Sequence, residues 1–181
     1  MRALEITVKS KNAFSVIEYL SNKYSDQVVI GAGTVLDSTS AQLAISKGAD
    51  FLLSPNFNPE VVKTALRYGK VVVPGVMTPT EMMNAIECGA DMVKIFPASV
   101  LGIQFIKDVK GPFPQIPIIP TGGISLDNVG SFIEAGVEAV GAGGSLINKE
   151  AINRSDVGLI KETAIQFVDK VKQARLKIDS K

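Results

Sequence analysis

The chain has 181 residues and a mass of 19.2 kDa, with 46% hydrophobic residues, a formal net charge of +1 and no histidine. This length suits one domain, and the near balance of 19 basic and 18 acidic residues indicates neither a nucleic-acid nor an anionic-membrane partner. The absence of histidine excludes a Ser-His-Asp triad, a histidine general base and any histidine-ligated metal site. A single cysteine favours a reducing, cytoplasmic location, and no apolar run approaches the ~18 residues of a membrane span.

Seven short runs rich in valine and isoleucine recur along the chain every 20 to 26 residues. Continuous apolar runs without polar alternation are typical of strands that are buried on both faces of a parallel sheet. The seven runs span residues 4–9, 28–35, 51–57, 71–76, 92–98, 117–124 and 139–146. A near-constant period of this length predicts one repeated supersecondary unit.

The segments between these runs carry the start and stop signals of helices. Thr78-Pro79 with Glu81, and Asn58-Pro59, resemble helix N-termini, because each places a capping side chain before a proline. Glycines stand where four of the helices should end, at positions 48, 69, 89 and 136, and residues 157–178 have the spacing of a last amphipathic helix.

Strands that alternate with helices at this spacing predict successive right-handed βαβ units in an α/β fold. Both a doubly wound sheet and a TIM (β/α)8-type barrel fit this order. The barrel is favoured because all seven runs are comparably apolar, whereas an open sheet usually has more polar edge strands. We therefore predict a single barrel domain over residues 1–181 with seven βα units visible and the N-terminal unit missing.

Lys94 lies inside an apolar strand, between Val93 and Ile95. Burial there lowers the pKa of a lysine and provides a neutral amine that can attack a carbonyl group. The alternative is a structural lysine that reaches solvent or pairs with a carboxylate such as Asp91. Glu5 shares one face of the first strand with Thr7 and Lys9, and is either an ion-pair partner or a general acid/base.

Glycine pairs end the last two predicted strands, in Thr121-Gly122-Gly123 and Gly143-Gly144-Ser145. Such loops let a ligand approach backbone N–H groups, and the loops after the final strands of a barrel commonly bind phosphate. The alternative is a pair of simple tight turns.

Taken together, these residues resemble the 2-keto-3-deoxy-6-phosphogluconate (KDPG) and 4-hydroxy-2-oxoglutarate (KHG) aldolase family. The motifs that carry the resemblance occur in family order over essentially the whole chain: Leu4-Glu5-Ile6-Thr7, Gly31-Ala32-Gly33-Thr34, Ser54-Pro55, Pro74-Gly75, Lys94-Ile95-Phe96-Pro97-Ala98, Thr121-Gly122-Gly123 and Gly144-Ser145. The resemblance implies a class I, metal-independent and cofactor-free aldolase, usually a homotrimer, that acts on a phosphorylated keto-deoxy sugar acid and releases pyruvate.

Position by position, the resemblance implies a Schiff-base role for Lys94 and a general acid/base role for Glu5. Further residues match the pyruvate pocket (Thr34, Pro55 and Phe96) and the phosphate site (Gly122, Gly123, Gly144 and Ser145). The family usually has arginine or another polar residue where this chain has Lys9, which can neutralise the substrate carboxylate but lacks a bidentate fork. Family members also carry a strand and a helix before the Glu-x-Thr run.

The predicted function is therefore the cleavage of KDPG to pyruvate and glyceraldehyde 3-phosphate, with KHG as a second substrate. Two alternatives remain at this point. One is a truncated, non-catalytic barrel fragment, and the other is a different phosphate-binding barrel enzyme. The second alternative is disfavoured because such synthases and epimerases usually need histidine, aspartate or metal ligands.

Overall fold

The structure is a computed structural model that describes residues 2–147 and 149–180. It contains seven strands and eight helices within those residues. The strands are β1 (Ala3–Thr7), β2 (Val29–Gly33), β3 (Phe51–Leu53), β4 (Val71–Val73), β5 (Gly75–Val76), β6 (Val93–Ile95) and β7 (Ile118–Pro120). The helices are α1 (Ala13–Tyr24), α2 (Ser38–Ser46), α3 (Pro59–Arg67), α4 (Pro79–Glu87), α5 (Ala98–Lys110), α6 (Val129–Glu134), α7 (Lys149–Asn153) and α8 (Val157–Asp179).

The chain divides into two compact units, residues 1–94 and residues 95–181. In the first unit, β1, β2, β3 and β4 form a parallel sheet in that order, and β5 lies beside β6. In the second unit, Ile95 at the end of β6 accepts a hydrogen bond from Thr121, the residue after β7. The prediction of a single domain over residues 1–181 stays a prediction.

Each unit has its own apolar core. In the first unit, helices α1 to α4 cover the strands, and the fully buried residues include Ile30, Leu52 and Val72 of the strands and Ile17 and Met82 of the helices. In the second unit, the core gathers residues of α5, α6, β7 and α8, including Ile106, Ile118, Phe132, Phe167 and Ala174. No helix in the described part of the chain is long and apolar enough to cross a membrane.

The helix signals in the sequence are confirmed by the structure. Thr78 and Glu81 form a reciprocal capping box at the start of α4, and the Asn58 side chain accepts the Glu60 N–H at the start of α3. The four glycines that were expected to end helices all have positive φ, from 62° at Gly69 to 102° at Gly89. The last helix begins at Val157 as predicted.

Three strand predictions need correction. Pro74 lacks an N–H donor, and the run 71–76 is accordingly divided into β4 and β5 on either side of it. The run 139–146 is rich in glycine and forms only an isolated bridge between Gly141 and Thr121. Strand β1 is mostly exposed, with Leu4 39% accessible, whereas the sequence pattern predicted burial on both faces.

Acidic side chains that follow the ends of helices accept N–H groups from earlier strands. Asp50 accepts the Ile30 N–H, and Asp91 accepts the Val72 N–H at 2.9 Å. Glu138 in the second unit accepts the Ile118 N–H in the same way. Each of these acids lies two residues after a glycine that ends a helix, so the Gly-x-acid pattern both stops a helix and anchors a strand.

Replacing Asp91 by alanine should lower the free energy of unfolding by about 1–3 kcal/mol, because the N–H of the buried Val72 loses its acceptor. Chemical denaturation measures this change. Asp26→Ala is the matched control, since Asp26 is exposed and makes no side-chain hydrogen bond within the described residues. Equal effects of the two substitutions would contradict the assigned role of Asp91.

Candidate active site

The carboxyl ends of β1 to β4 are aligned by hydrogen bonds between successive strands. Val8 donates to the Gly33 carbonyl, Val35 to that of Leu53, and Ser54 to that of Val73, over 2.9 to 3.3 Å. Three predicted site residues, Lys9, Thr34 and Pro55, lie next to these donors in the sequence. The first unit therefore brings Lys9, Thr34 and Pro55 to one edge of its sheet, whereas the fourth residue predicted for this part of the site, Phe96, belongs to the second unit.

Lys94 lies in the middle of β6, and its backbone N–H donates to the Pro74 carbonyl at 2.8 Å. Only 5% of the residue is exposed, although lysine is almost never buried without a specific reason. Burial lowers the pKa of the Lys94 amine, while the negative charge of Glu5 raises it to a smaller extent. A lowered pKa increases the neutral, nucleophilic fraction of the amine at pH 7.

The sequence left open whether Asp91 is the ion-pair partner of Lys94. In the structure, the Asp91 carboxylate binds the Val72 backbone, and Glu5 is the carboxylate whose charge acts on the Lys94 amine. The two residues predicted to carry the chemistry are therefore electrostatically coupled within the first unit.

The Glu5 carboxylate lies against Gly33 of β2, where a Cβ atom at position 33 would overlap it. Glu5 is exposed rather than buried, so it keeps contact with solvent, as an acid/base that exchanges protons requires. The absence of a side chain at Gly33 is thus what leaves room for Glu5. Gly75 similarly leaves room for the carbonyl group of Pro55.

Thr34 follows Gly33 and has a φ of 61°. The left-handed region is unfavourable for a β-branched residue, at a cost of about 1–3 kcal/mol. Such strain clusters at ligand sites, and Thr34 is one of the residues predicted to shape the pyruvate pocket. Lys9 is exposed, two residues beyond the end of β1.

In the second unit, the predicted phosphate residues line one cavity of about 270 Å³. Its walls are residues 121–124, which we call the glycine loop, together with residues 141 and 143–145. Gly122 and Gly123 have φ values of 89° and 81°, which only glycine adopts readily. The Phe96 ring packs on Gly122, at 3.4 Å from where a Cβ atom would lie.

The backbone of the glycine loop has unpaired N–H donors on three successive residues. Within the residues that the structure describes, the N–H groups of Gly122, Gly123 and Ile124 have no hydrogen-bond partner. Successive unpaired N–H groups can bind anions, and the three residues that carry these groups line the cavity. The Ser145 hydroxyl donates to the Ile124 carbonyl at 2.5 Å, which ties the second glycine-rich segment to the glycine loop.

Sequence reasoning did not select Thr121 as a site residue. Its hydroxyl oxygen is buried in the cavity region and has no hydrogen-bond partner within the described residues. A buried hydroxyl without a partner costs about 1–3 kcal/mol unless a ligand binds it. A threonine before two glycines gives no such signal, because its hydroxyl could equally bond within a turn.

The sequence model of the KDPG and KHG aldolase family matches residues 1–163. The chain belongs to this family. It is 37% identical over 145 residues to the 2-dehydro-3-deoxy-6-phosphogalactonate aldolase of Escherichia coli (strain K12). The aligned region covers 80% of this chain and 71% of that protein. The family and the aldehyde-lyase class predicted from the motifs are thereby confirmed.

Two solved structures of the family show the same fold. The native KDPGal structure matches with a TM-score of 0.91 and 32% identity, over 97% of this chain and 84% of that one. The KDPG aldolase of Legionella pneumophila, with pyruvate captured at low pH as a covalent carbinolamine, matches with a TM-score of 0.82 and 32% identity, over 90% and 79%. The predicted fold class, an α/β fold of the TIM-barrel type, is confirmed.

Replacing Lys94 by methionine should raise the free energy of unfolding at pH 7 by on the order of 1 kcal/mol, because a buried ammonium group is removed. The gain should shrink as pH rises from the lowered pKa of Lys94 towards 10.5, the ordinary value. In that range only the unfolded amine binds a proton, so the stability of the unsubstituted protein increases with pH.

Urea denaturation at several pH values between 7 and 10.5 measures this difference. Lys107→Met serves as the control, since Lys107 is an exposed lysine of α5. A stability difference that stays constant with pH would show that burial does not perturb the Lys94 amine.

Gly33→Ala should lower kcat of the aldolase reaction about 10- to 100-fold, because the new methyl group displaces the Glu5 carboxylate. Stability should change little, since the displaced atoms are the end of a flexible side chain. Steady-state kinetics and thermal unfolding test both expectations. Gly130→Ala, in α6 and with only ordinary contacts, should leave kcat unchanged. A normal kcat in Gly33→Ala would show that the position of Glu5 is not critical.

Proposed function

We propose that the chain is a class I aldolase that cleaves 2-keto-3-deoxy-6-phosphogluconate to pyruvate and glyceraldehyde 3-phosphate. The observation that carries this proposal is the burial of Lys94 beside the charge of Glu5, in a member of a family whose Legionella relative binds pyruvate as a carbinolamine. Nothing in the proposed chemistry requires histidine, which the sequence lacks.

The first stage is formation of an imine. The neutral Lys94 amine attacks the C2 ketone of the substrate and gives a carbinolamine. Uptake of one proton from solvent and loss of water then give a protonated imine, and the final hydrolysis returns this proton. The positive nitrogen draws electrons from the neighbouring bonds, so C3 can accept the electron pair of the C3–C4 bond.

The second stage is cleavage. The Glu5 carboxylate accepts the proton of the C4 hydroxyl group, the C3–C4 bond breaks, and glyceraldehyde 3-phosphate leaves. The electron pair passes through C3 to the imine nitrogen and forms an enamine. Protonation at C3 and addition of water then release pyruvate and regenerate the amine.

The remaining predicted residues would bind the two charged ends of the substrate. We assign the carboxylate to Lys9 and Thr34, with Pro55 and Phe96 shaping the pyruvate pocket. The phosphate group is assigned to the unpaired N–H groups of the glycine loop together with Gly144 and Ser145.

Two further substrates, an oligomeric state and a cellular location follow from the same resemblance. The family description includes KHG, and one relative acts on a phosphogalactonate derivative, so we propose both substrate types as alternatives. We also propose a homotrimer in the cytoplasm. Exposed apolar side chains such as Val100, 70% accessible, are consistent with an interface between subunits.

Borohydride reduction in the presence of pyruvate should attach a pyruvate-derived group to Lys94 and inactivate the protein. Peptide mass mapping identifies the modified residue, and Lys94→Met should show no modification. Lys107→Met is the matched control and should be labelled normally. Labelling of another lysine, or none in an active preparation, would contradict the role assigned to Lys94.

A further inference from the structure

The carbonyl groups of the glycine loop are each held by a protein donor. The Ala98 N–H donates to the Thr121 carbonyl at 2.8 Å, and the Ser99 N–H donates to the Gly122 carbonyl at 2.9 Å. A peptide unit is planar, so its carbonyl and the N–H of the next residue point in opposite directions. Fixing these two carbonyls therefore also fixes the directions of the Gly122 and Gly123 N–H groups.

The third carbonyl of the loop, that of Gly123, is held by a side chain. The Asn128 Nδ2 atom donates to it at 2.8 Å, and the Asn128 Oδ1 atom accepts the Ser125 N–H at 2.8 Å. The two partners identify the two ends of the carboxamide, because only its oxygen can accept an N–H and only its nitrogen can donate to a carbonyl. By the same planarity, this side chain fixes the direction of the Ile124 N–H.

Helix capping accounts for only one of the two Asn128 side-chain bonds. It occupies the N-cap position of α6, where asparagine usually accepts an N–H group from the first turn of the helix. Its side chain makes no such bond. The Oδ1 bond to the Ser125 N–H, with the Ser125 hydroxyl that accepts the Asp127 N–H, caps the preceding turn, whereas the Nδ2 bond to the Gly123 carbonyl has no role in capping. The flanking Gly123 has no Cβ atom to restrict rotation, so the Asn128 carboxamide is what holds this peptide in place.

We propose that Asn128 is a positioning residue for the substrate phosphate group. Its carboxamide holds the Gly123–Ile124 peptide so that the Ile124 N–H stays aligned with the N–H groups of Gly122 and Gly123. This inference rests on the proposed function, in which the glycine loop binds phosphate, and it assigns to Asn128 a role that its sequence position does not suggest.

The test compares kcat and KM for 2-keto-3-deoxy-6-phosphogluconate and for 2-keto-3-deoxygluconate, which lacks the phosphate group. Asn128→Ala should raise KM for the phosphorylated substrate about fivefold, the effect of one lost hydrogen bond, and leave both constants for the other substrate unchanged. Asn128→Asp retains the acceptor for the Ser125 N–H but cannot donate to the Gly123 carbonyl. It should therefore raise KM for the phosphorylated substrate at least as much as Asn128→Ala does. A general loss of fold would instead impair both substrates equally.

Ser125→Ala is the matched control, because it removes a hydroxyl of the same turn that accepts only the Asp127 N–H. It should leave both substrates unaffected, and thermal unfolding should show all variants folded. Equal effects on the two substrates, no effect of Asn128→Ala, or a wild-type-like Asn128→Asp would overturn the role of Asn128. Borohydride trapping of pyruvate separates the two proposals, since unmodified wild-type protein would refute the aldolase mechanism itself.

Discussion

The desolvation of one ammonium group is the constraint on which the site depends. Lys94 lies within β6 between Val93 and Ile95, and a charged amine in such surroundings loses most of its hydration. Its pKa falls for that reason, and the charge of Glu5 opposes the fall without reversing it. Burial of this amine lowers the stability of the fold, and the lowered pKa increases the neutral fraction of the amine.

The two units supply different kinds of chemistry. In the first, side chains carry the proposed reaction, and hydrogen bonds between successive strand ends, such as Val8 to Gly33, set their positions. In the second, backbone N–H groups form the proposed phosphate site, and their directions depend on the groups that hold the peptides in place. The N–H groups of Ala98 and Ser99 and the Asn128 side chain hold them. A backbone site of this kind needs glycine where φ is positive and donors around it, but no charged side chain.

Features of the fold that depend on residues close together in the sequence were predicted correctly. Features that depend on contacts between distant residues were not. The Thr78 capping box and the glycine at position 89 depend on neighbours within a few residues, so their patterns can be read directly. The burial of β1 depends on what covers it, and the role of Asn128 depends on a loop that folds back on its side chain. Lys94 was found because a lysine in an apolar run is unusual whatever surrounds it, whereas Thr121 became visible only through its unpartnered hydroxyl.

The segment Gly31-Ala32-Gly33-Thr34 shows how the same residue type serves two purposes. Read alone, two glycines after an apolar strand resemble a phosphate-binding turn. In the structure, Gly31 makes room for the Phe51 ring and Gly33 makes room for the Glu5 carboxylate. Both glycines are buried residues of β2. These glycines act by leaving space for side chains from the neighbouring strands β1 and β3, whereas Gly122 and Gly123 act through positive φ and unpaired N–H groups. The distinction follows from φ and from the groups that lie against each glycine, and spacing in the sequence cannot reveal it.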